Sequence, residues 1–102
     1  MLGSRLREKF PNRIPIIFVC QDGITLERNR YLVNEDHTLG EIMCILRKHI
    51  EVKPYEALFA LINNTLVPTS ATMQSIYKEH ANPDDMLYIH ITNLEYIWII
   101  QV

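Results

Sequence analysis

Hydrophobic and polar positions in the first third of the chain predict two paired strands. Residues 13–20 (RIPIIFVC) are rich in Ile and Val, which favour strands, and Pro15 fits such a strand only at an edge or entry position. Asp22-Gly23 is a strong hairpin signal. We therefore expect the partner strand at residues 28–33.

Two helices are predicted on either side of this strand pair. Residues 4–9 are typical of one or two helical turns, which Pro11 ends. Thr38 and Glu41 have the spacing of a capping box, and a helix is predicted from there to about Ile50. Its apolar stripe is wider than one core-facing seam needs, so part of it could face a partner or all of it could be core. The stripe consists of Leu39, Ile42, Met43, Ile45, Leu46 and Ile50.

The continuous apolar run at residues 57–62 (ALFALI) is typical of a central, buried strand. Asn63-Asn64 follows it and predicts a tight turn, because Asn tolerates positive φ. Residues 65–67 are long enough only for a small strand, which Pro68 ends.

Thr69, Ser70 or Thr72 can cap the next helix, which is predicted to run through Met73 to His80. Residues 82–85 form a loop before another central strand at residues 86–91.

The order of these elements predicts the fold. Strand, strand, helix, strand, short strand, short helix and strand match an α+β, ubiquitin-like β-grasp, in which a mixed sheet is crossed by one main helix. The sequence shows no repeat or linker, so residues 1–102 are interpreted as a single domain.

The charge is unevenly distributed. Residues 1–50 carry eight Lys and Arg against six Asp and Glu, and residues 51–102 carry two against six. The surface is thus polarised or, as is more common, simply carries scattered solvated charges; neither case indicates a nucleic-acid binder. No signal peptide is recognisable, and the apolar residues 96–100 are too few for a membrane span, so we expect a cytoplasmic protein.

No residue constellation indicates an enzyme, a metal site or a cofactor. His37, His49, His80 and His90 lack metal-site spacing, and each is interpreted as a solvated or hydrogen-bonded structural residue. Cys20 and Cys44 are expected to be free, buried thiols that act as small core side chains. Asp84-Asp85 is interpreted as a solvated turn.

Several segments, in order, resemble the ubiquitin-like autophagy modifiers, the family of microtubule-associated light chain 3 and the GABA-receptor-associated protein. NNTLVPTSATM at residues 63–73 is highly specific for that family. EKFPNRIPII, RYLV with DHTLG, ILRKHI, ALFALI, IYKEH and LYI support the resemblance over about residues 5–91.

The resemblance implies a protein that binds aromatic-x-x-aliphatic peptides of cargo receptors and autophagy factors by strand addition at residues 30–33. It implies association with autophagosomes, through these partners or in a lipidated form. The pocket for the aromatic residue would comprise Leu6, Pro15, Ile17, Leu32, Met86 and the stem of Arg30. The pocket for the aliphatic residue would comprise Tyr31, Val33, Ile42 and Ile45, and the acidic flank of the peptide would meet Arg13, Arg28, Arg47 and Lys48.

Four positions depart from the family pattern. Asn34 and His37 stand where proline and an apolar residue are usual, which implies a more polar second pocket. Met86 replaces an aromatic residue, and His49 replaces a basic one.

The tail departs most. Modifiers of this family end, after trimming, in a glycine that is joined to phosphatidylethanolamine, but here Trp98 falls at that place and no glycine follows Gly40. We therefore expect no lipid conjugation by the usual route, and a doubtful role for the conjugation machinery. The family's additional first helix does not precede residues 4–9, which leaves tubulin a weak candidate partner.

Two alternatives remain open: a lipid-conjugated membrane modifier whose conjugatable form has a different tail, and a β-grasp interaction domain unrelated to autophagy.

Overall fold

Five strands form a mixed sheet in the computed structural model, which describes residues 2–21, 24–51 and 58–92. Their order is β3-β1-β7-β5-β6, and a separate two-stranded sheet joins β2 to β4. Strand β1 is antiparallel to β3 and parallel to β7, as in a β-grasp. The elements are α1 (Leu2–Lys9), β1 (Arg13–Cys20), β2 (Thr25–Leu26), β3 (Arg30–Asn34), α2 (Leu39–Arg47), β4 (Ile50–Glu51), β5 (Phe59–Ile62), β6 (Thr65–Leu66), α3 (Met73–His80) and β7 (Leu87–Thr92).

The bounds of β1 are those predicted, and the position of Pro15 follows the expected rule. The Phe18 amide donates to the Asn29 carbonyl, so alternation turns the Pro15 nitrogen away from β3 and toward β7. The register with β7 begins at Ile16, one residue later. The missing donor of Pro15 therefore costs no hydrogen bond of the sheet.

Three element predictions need correction. The connection between β1 and β3 is longer than a two-residue hairpin, because β2 intervenes and pairs with β4; Asp22-Gly23 lies outside the described residues. The second strand begins at Arg30 and not at residue 28. Helix α2 ends at Arg47, since Ile50 pairs with Leu26 instead of continuing the helix.

The main core lies between one face of the sheet and the helices α2 and α3. Ile14 and Ile16 of β1 point into it and are fully buried, as is Met73 of α3. Pro15 is also buried but points to the opposite face, where α1 lies against β1. The two faces of β1 are thus covered by different helices.

The run at residues 63–73 forms the structure that its local signals predict. Asn63 and Asn64 have φ values of 53° and 60°, which a tight turn requires, and Thr72 is the cap of α3. The Thr38–Glu41 capping box of α2 is also present, as predicted. Hydrogen bonds to the Thr38 backbone and side chain lower the pKa of the Glu41 carboxyl.

The first backbone amides of α2 and of α3 each donate to carbonyls in the segment that precedes the other helix. Leu39 and Gly40, in the first turn of α2, donate to the carbonyls of Ala71 and Thr69 at 2.9 Å. In return Met73 and Gln74, in the first turn of α3, donate to the carbonyls of residues 37 and 35 at 2.8 and 3.0 Å. Amides that helix ends normally leave without partners are therefore bonded here, and the two helices are fastened together.

Candidate functional site

Strand β3 forms one edge of the five-stranded sheet, so its outer side lacks a partner strand within the described residues. Its pairing with β1 determines which backbone groups point outward. Phe18 bonds to Asn29, and Ile16 is opposite Tyr31, so the groups of residues 29, 31 and 33 face β1. By alternation, the amide and carbonyl groups of Arg30 and Leu32 point away from the sheet.

A groove of about 270 Å³ lies beside this edge, on the face that α1 covers. Four of the residues predicted for the first pocket line it: Leu6, Arg30, Leu32 and Met86. The rest of the lining is Leu2, Ile16 and Tyr31; the first two were not predicted as site residues, and Tyr31 was predicted for the other pocket.

Two residues predicted for this pocket are not among its lining. Pro15 is fully buried, beneath the surface of the α1 face, and Ile17 is half-buried. The structure thus corrects the expectation that Pro15 offers an open wall. Leu2 could have been found as the residue one helical turn before Leu6 on the same face of α1.

Helix α1 is held close to the sheet by Arg7. The guanidinium group donates to the carbonyls of Pro11 and Arg13 at 2.8 and 2.7 Å, and it lies 5.2 Å from the ring centre of Tyr77. Such a stacked arginine contributes by cation–π attraction as well as by hydrogen bonding. The Tyr77 hydroxyl in turn donates to the Asp85 carbonyl at 2.7 Å, and burial raises the pKa of this phenol, which keeps it a donor.

On the other face of β3, Tyr31 and Val33 pack against the main core. The Tyr31 ring meets Phe18 edge-on, with the ring centres 5.6 Å apart. Ile42, which was expected to remain partly open, is only 2 % exposed and belongs to the core, because it lies on the sheet-facing side of α2. Ile45, also on α2, is 41 % exposed and remains at the surface.

The four predicted basic residues do not form one cluster. Arg28 and Lys48 line a cavity of about 490 Å³ between the start of β3 and the end of α2, together with Glu27, Tyr31, His49 and Ile50. Arg13 is opposite Asn34, at the far end of β3, and Arg47 is exposed in the last turn of α2.

The four histidines and both cysteines lie within the described residues. Within residues 2–21, 24–51 and 58–92, no group of three His, Cys, Asp or Glu residues is placed to hold a metal ion. Both cysteines are free, but Cys44 is exposed, contrary to the expectation of a buried thiol, since it lies on the outward side of α2. Burial raises the pKa of the half-buried Cys20 thiol.

His37 differs from its predicted environment, whereas His80 agrees with it. His80 is hydrogen-bonded, with its Nδ1 3.1 Å from the side-chain nitrogen of Asn63. The Nδ1 atom of His37 is buried without a hydrogen-bond partner. The His37 backbone is bonded to Asn34 and Met73, which fixes the main chain from which the ring projects.

The fold and its open edge define a ubiquitin-like β-grasp protein, and comparison with solved structures confirms this class. The crystal structure of Trypanosoma brucei ATG8 superimposes with a TM-score of 0.81 at 34 % identity, covering 90 % of this chain and 82 % of that one. Plasmodium falciparum Atg8, in complex with an Atg3 peptide from the same organism, has a TM-score of 0.77 at 23 % identity and covers 91 % and 88 %.

Sequence comparison identifies the family. The model of the autophagy protein Atg8 ubiquitin-like family matches residues 2–97. Autophagy-related protein 8 of Schizosaccharomyces pombe is 41 % identical over 92 residues, covering 85 % of this chain and 74 % of the relative. Autophagy-related protein 8d of Arabidopsis thaliana is 40 % identical over 90 residues, covering 85 % and 75 %. The chain therefore belongs to the Atg8 family, as the resemblance predicted.

Among the described residues, no helix is long and apolar enough to cross a membrane.

Proposed function

We propose that this Atg8-family chain is a non-enzymatic recruitment protein that binds partner peptides as an added strand along β3. The observation that carries the proposal is the outer side of β3, which has no partner strand among the described residues and directs the backbone groups of Arg30 and Leu32 outward beside an apolar groove. Backbone hydrogen bonds supply affinity in this mode of recognition, and pockets on either face supply specificity.

The two faces of β3 account for the spacing of the expected motif. Side chains alternate along an added strand, so residues i and i+3 point to opposite faces. An aromatic residue at position i would enter the groove lined by Leu6 and Leu32. The aliphatic residue at i+3 would then lie on the α2 face, near Val33 and Ile45.

The same alternation predicts where the acidic residues that precede the motif would lie. In a peptide parallel to β3, residues i−1 and i−3 would lie on the α2 face near the start of the strand. The cavity that contains Arg28 and Lys48 is at that end. Arg13 is opposite Asn34, which lies four residues after Arg30 and so roughly 13 Å further along β3, at about 3.3 Å per residue. It would meet residues that follow the motif. These exposed charges would act mainly by steering and by altering salt dependence.

Autophagy factors and cargo receptors bearing such motifs are the proposed partners, and they would bring the chain to autophagosomes. The similarly folded Plasmodium falciparum Atg8 has been solved in complex with an Atg3 peptide, which supports a peptide of an autophagy protein as the class of ligand.

Calorimetry with an acidic peptide that carries an aromatic-x-x-aliphatic core tests the proposal. Leu32→Asp should weaken binding at least about tenfold, because the new carboxylate would be desolvated in the groove. Leu66→Asp is the matched control: it makes the same chemical change on β6, at the opposite edge of the sheet, where Leu66 is 43 % exposed. Absence of binding at high micromolar peptide, or equal affinity for the Leu32→Asp variant, would contradict the proposal.

Trp98, which stands at the expected place of the conjugation glycine, lies with residues 93–102 outside the described residues. Intact-mass spectrometry of the protein from cells tests the alternative of a lipid-conjugated membrane modifier. A mass added by phosphatidylethanolamine would favour that alternative.

A further inference from the structure

The loop between α3 and β7 is closed by its own hydrogen bonds. The Asn82 amide donates to the Met86 carbonyl at 3.0 Å, and the Asp85 amide donates to the Asn82 carbonyl at 2.8 Å. Asp85 has a φ of 62°, in the left-handed region that such a reversal requires. These bonds hold the backbone in one tight turn before β7 begins.

Asp84 uses both carboxylate oxygens in this loop. Oδ1 accepts from the Met86 amide at 3.0 Å, and Oδ2 accepts from the Tyr88 hydroxyl at 2.6 Å. The Tyr88 hydrogen bond, followed by that of Met86, lowers the pKa of the Asp84 carboxyl, so it is ionised and acts only as an acceptor near neutral pH. Asp84 is therefore not the freely solvated turn residue that the sequence suggested.

Helix α1 rests on the backbone of this same loop. A Cβ atom on Gly3 would lie 2.2 Å from the Asp84 carbonyl oxygen and 2.6 Å from the Asp85 carbonyl carbon, so the two backbones are in direct contact. Leu2 precedes Gly3 and lines the groove, as Leu6 does one turn later. Met86, whose amide Asp84 binds, lines the groove as well.

We propose that Asp84 is a positioning residue for the aromatic-binding groove, an inference that rests on the proposed function. It is not among the residues that line the groove. It fixes Met86 directly, and it fixes the α1 wall indirectly, through the loop backbone on which Gly3 sits.

Loss of the carboxylate should loosen the groove without unfolding the protein. The bond from Tyr77 to the Asp85 carbonyl and the bonds between Asn82 and the loop remain. The α1 wall and Met86 would sample positions further from a bound ring, and contact energy falls steeply with such gaps. Binding energy from the aromatic residue should therefore fall, while that from the peptide backbone should remain.

The experiment compares two peptides, one with the aromatic residue and one with alanine in its place, against matched variants. The quantity compared is the Kd of the alanine peptide divided by the Kd of the aromatic peptide. Asp84→Asn should lower this ratio about five- to tenfold. Tyr88→Phe removes one of the two hydrogen bonds of Asp84 from the other side, so the double variant should lose little more than Asp84→Asn alone. Asp85→Asn is the control, since it removes a charge from the same loop and asparagine tolerates positive φ. A variant that loses only global stability would keep the same ratio of Kd values, because both peptides bind the folded protein.

An unchanged ratio in Asp84→Asn, or an equal loss in Asp85→Asn, would overturn the inference. Hydrogen exchange separates this failure from that of the proposed function. If the wild-type protein binds neither peptide, the proposed function fails. The hydrogen-exchange rate of α1 amides then still tests whether Asp84 positions α1. The Phe10 amide, bonded to the Leu6 carbonyl at 2.8 Å, should exchange faster in Asp84→Asn while α2 amides do not. Equal rates for Phe10 would count against a positioning role.

Discussion

Substituting Gly3 by alanine places two physical effects in opposition. Alanine is a better helix former than glycine by about 0.8–1.0 kcal/mol in a helix interior, so propensity alone predicts a more stable α1. The contact with the 82–86 loop predicts the reverse. The new Cβ would meet the Asp84 carbonyl oxygen at 2.2 Å, whereas ordinary contact begins at 3.4 Å.

The separation must therefore grow by about 3.4 − 2.2 = 1.2 Å, and neither side is a flexible side chain. Overpacking of this kind costs about 1–3 kcal/mol, which after the gain in propensity leaves a net destabilisation of about 0–2 kcal/mol. Stability alone is thus a weak measure of this contact. The displacement of the groove wall is a stronger one, because a gap of about 0.5–1 Å already removes a quarter to a half of a dispersion contact.

We expect Gly3→Ala to weaken binding of the aromatic peptide about five- to tenfold, measured by calorimetry, with little or no gain in Tm. Gly40→Ala is the matched control, because it makes the same change at the start of another helix. Its Cβ would lie 3.3 Å from the Thr69 carbonyl oxygen, which requires a shift of only a few tenths of an ångström. A Gly3→Ala protein with a raised Tm and unchanged peptide affinity would refute the reasoning.

Three further predictions concern the core, the thiols and acid stability. Ile42→Ala should lower the free energy of unfolding in urea by about 2–5 kcal/mol, whereas Ile45→Ala should cost well under half as much, because only Ile42 is buried; equal costs would contradict this placement. In native protein near pH 8, a thiol reagent should modify Cys44 well before Cys20, whose raised pKa and burial both slow attack, and the opposite order would be inconsistent with the structure. The lowered pKa of the Glu41 carboxyl stabilises the fold at pH values above 4.5, the ordinary pKa of this group, and the contribution is lost as pH falls through the folded-state pKa. Glu41→Gln should therefore flatten that part of the profile of urea midpoint against pH.

Predictions that rest on neighbouring residues were the most accurate. The Thr38–Glu41 capping box and the Asn63-Asn64 turn depend on residues at most three positions apart, and both are present. The β1 strand depends on propensity over eight residues, and its bounds agree as well. Local backbone preference is sufficient in each of these cases.

Features that depend on distant partners were missed. Strands β2 and β4 are only two residues long each, and they exist because Leu26 and Ile50 meet across the fold. The same pairing shortens α2, which periodicity alone extended too far. Ile42 was assigned to an open pocket by resemblance, although its exposure is set by how α2 lies on the sheet. The close approach of Gly3 to the 82–86 loop has no signal within its own segment.

The run at residues 63–73 leads into a helix that is bonded to the chain immediately after β3, the proposed binding strand. Strand β3 ends at Asn34, and the next residues immediately bond to α3: the Glu35 carbonyl accepts from Gln74, and the His37 carbonyl accepts from Met73. These bonds are possible only because Thr72 starts α3 at that point. The chain after β3 is thereby bonded to the first turn of α3. The specific run identified the family, and in the structure it also leads into the helix that holds the chain immediately after β3.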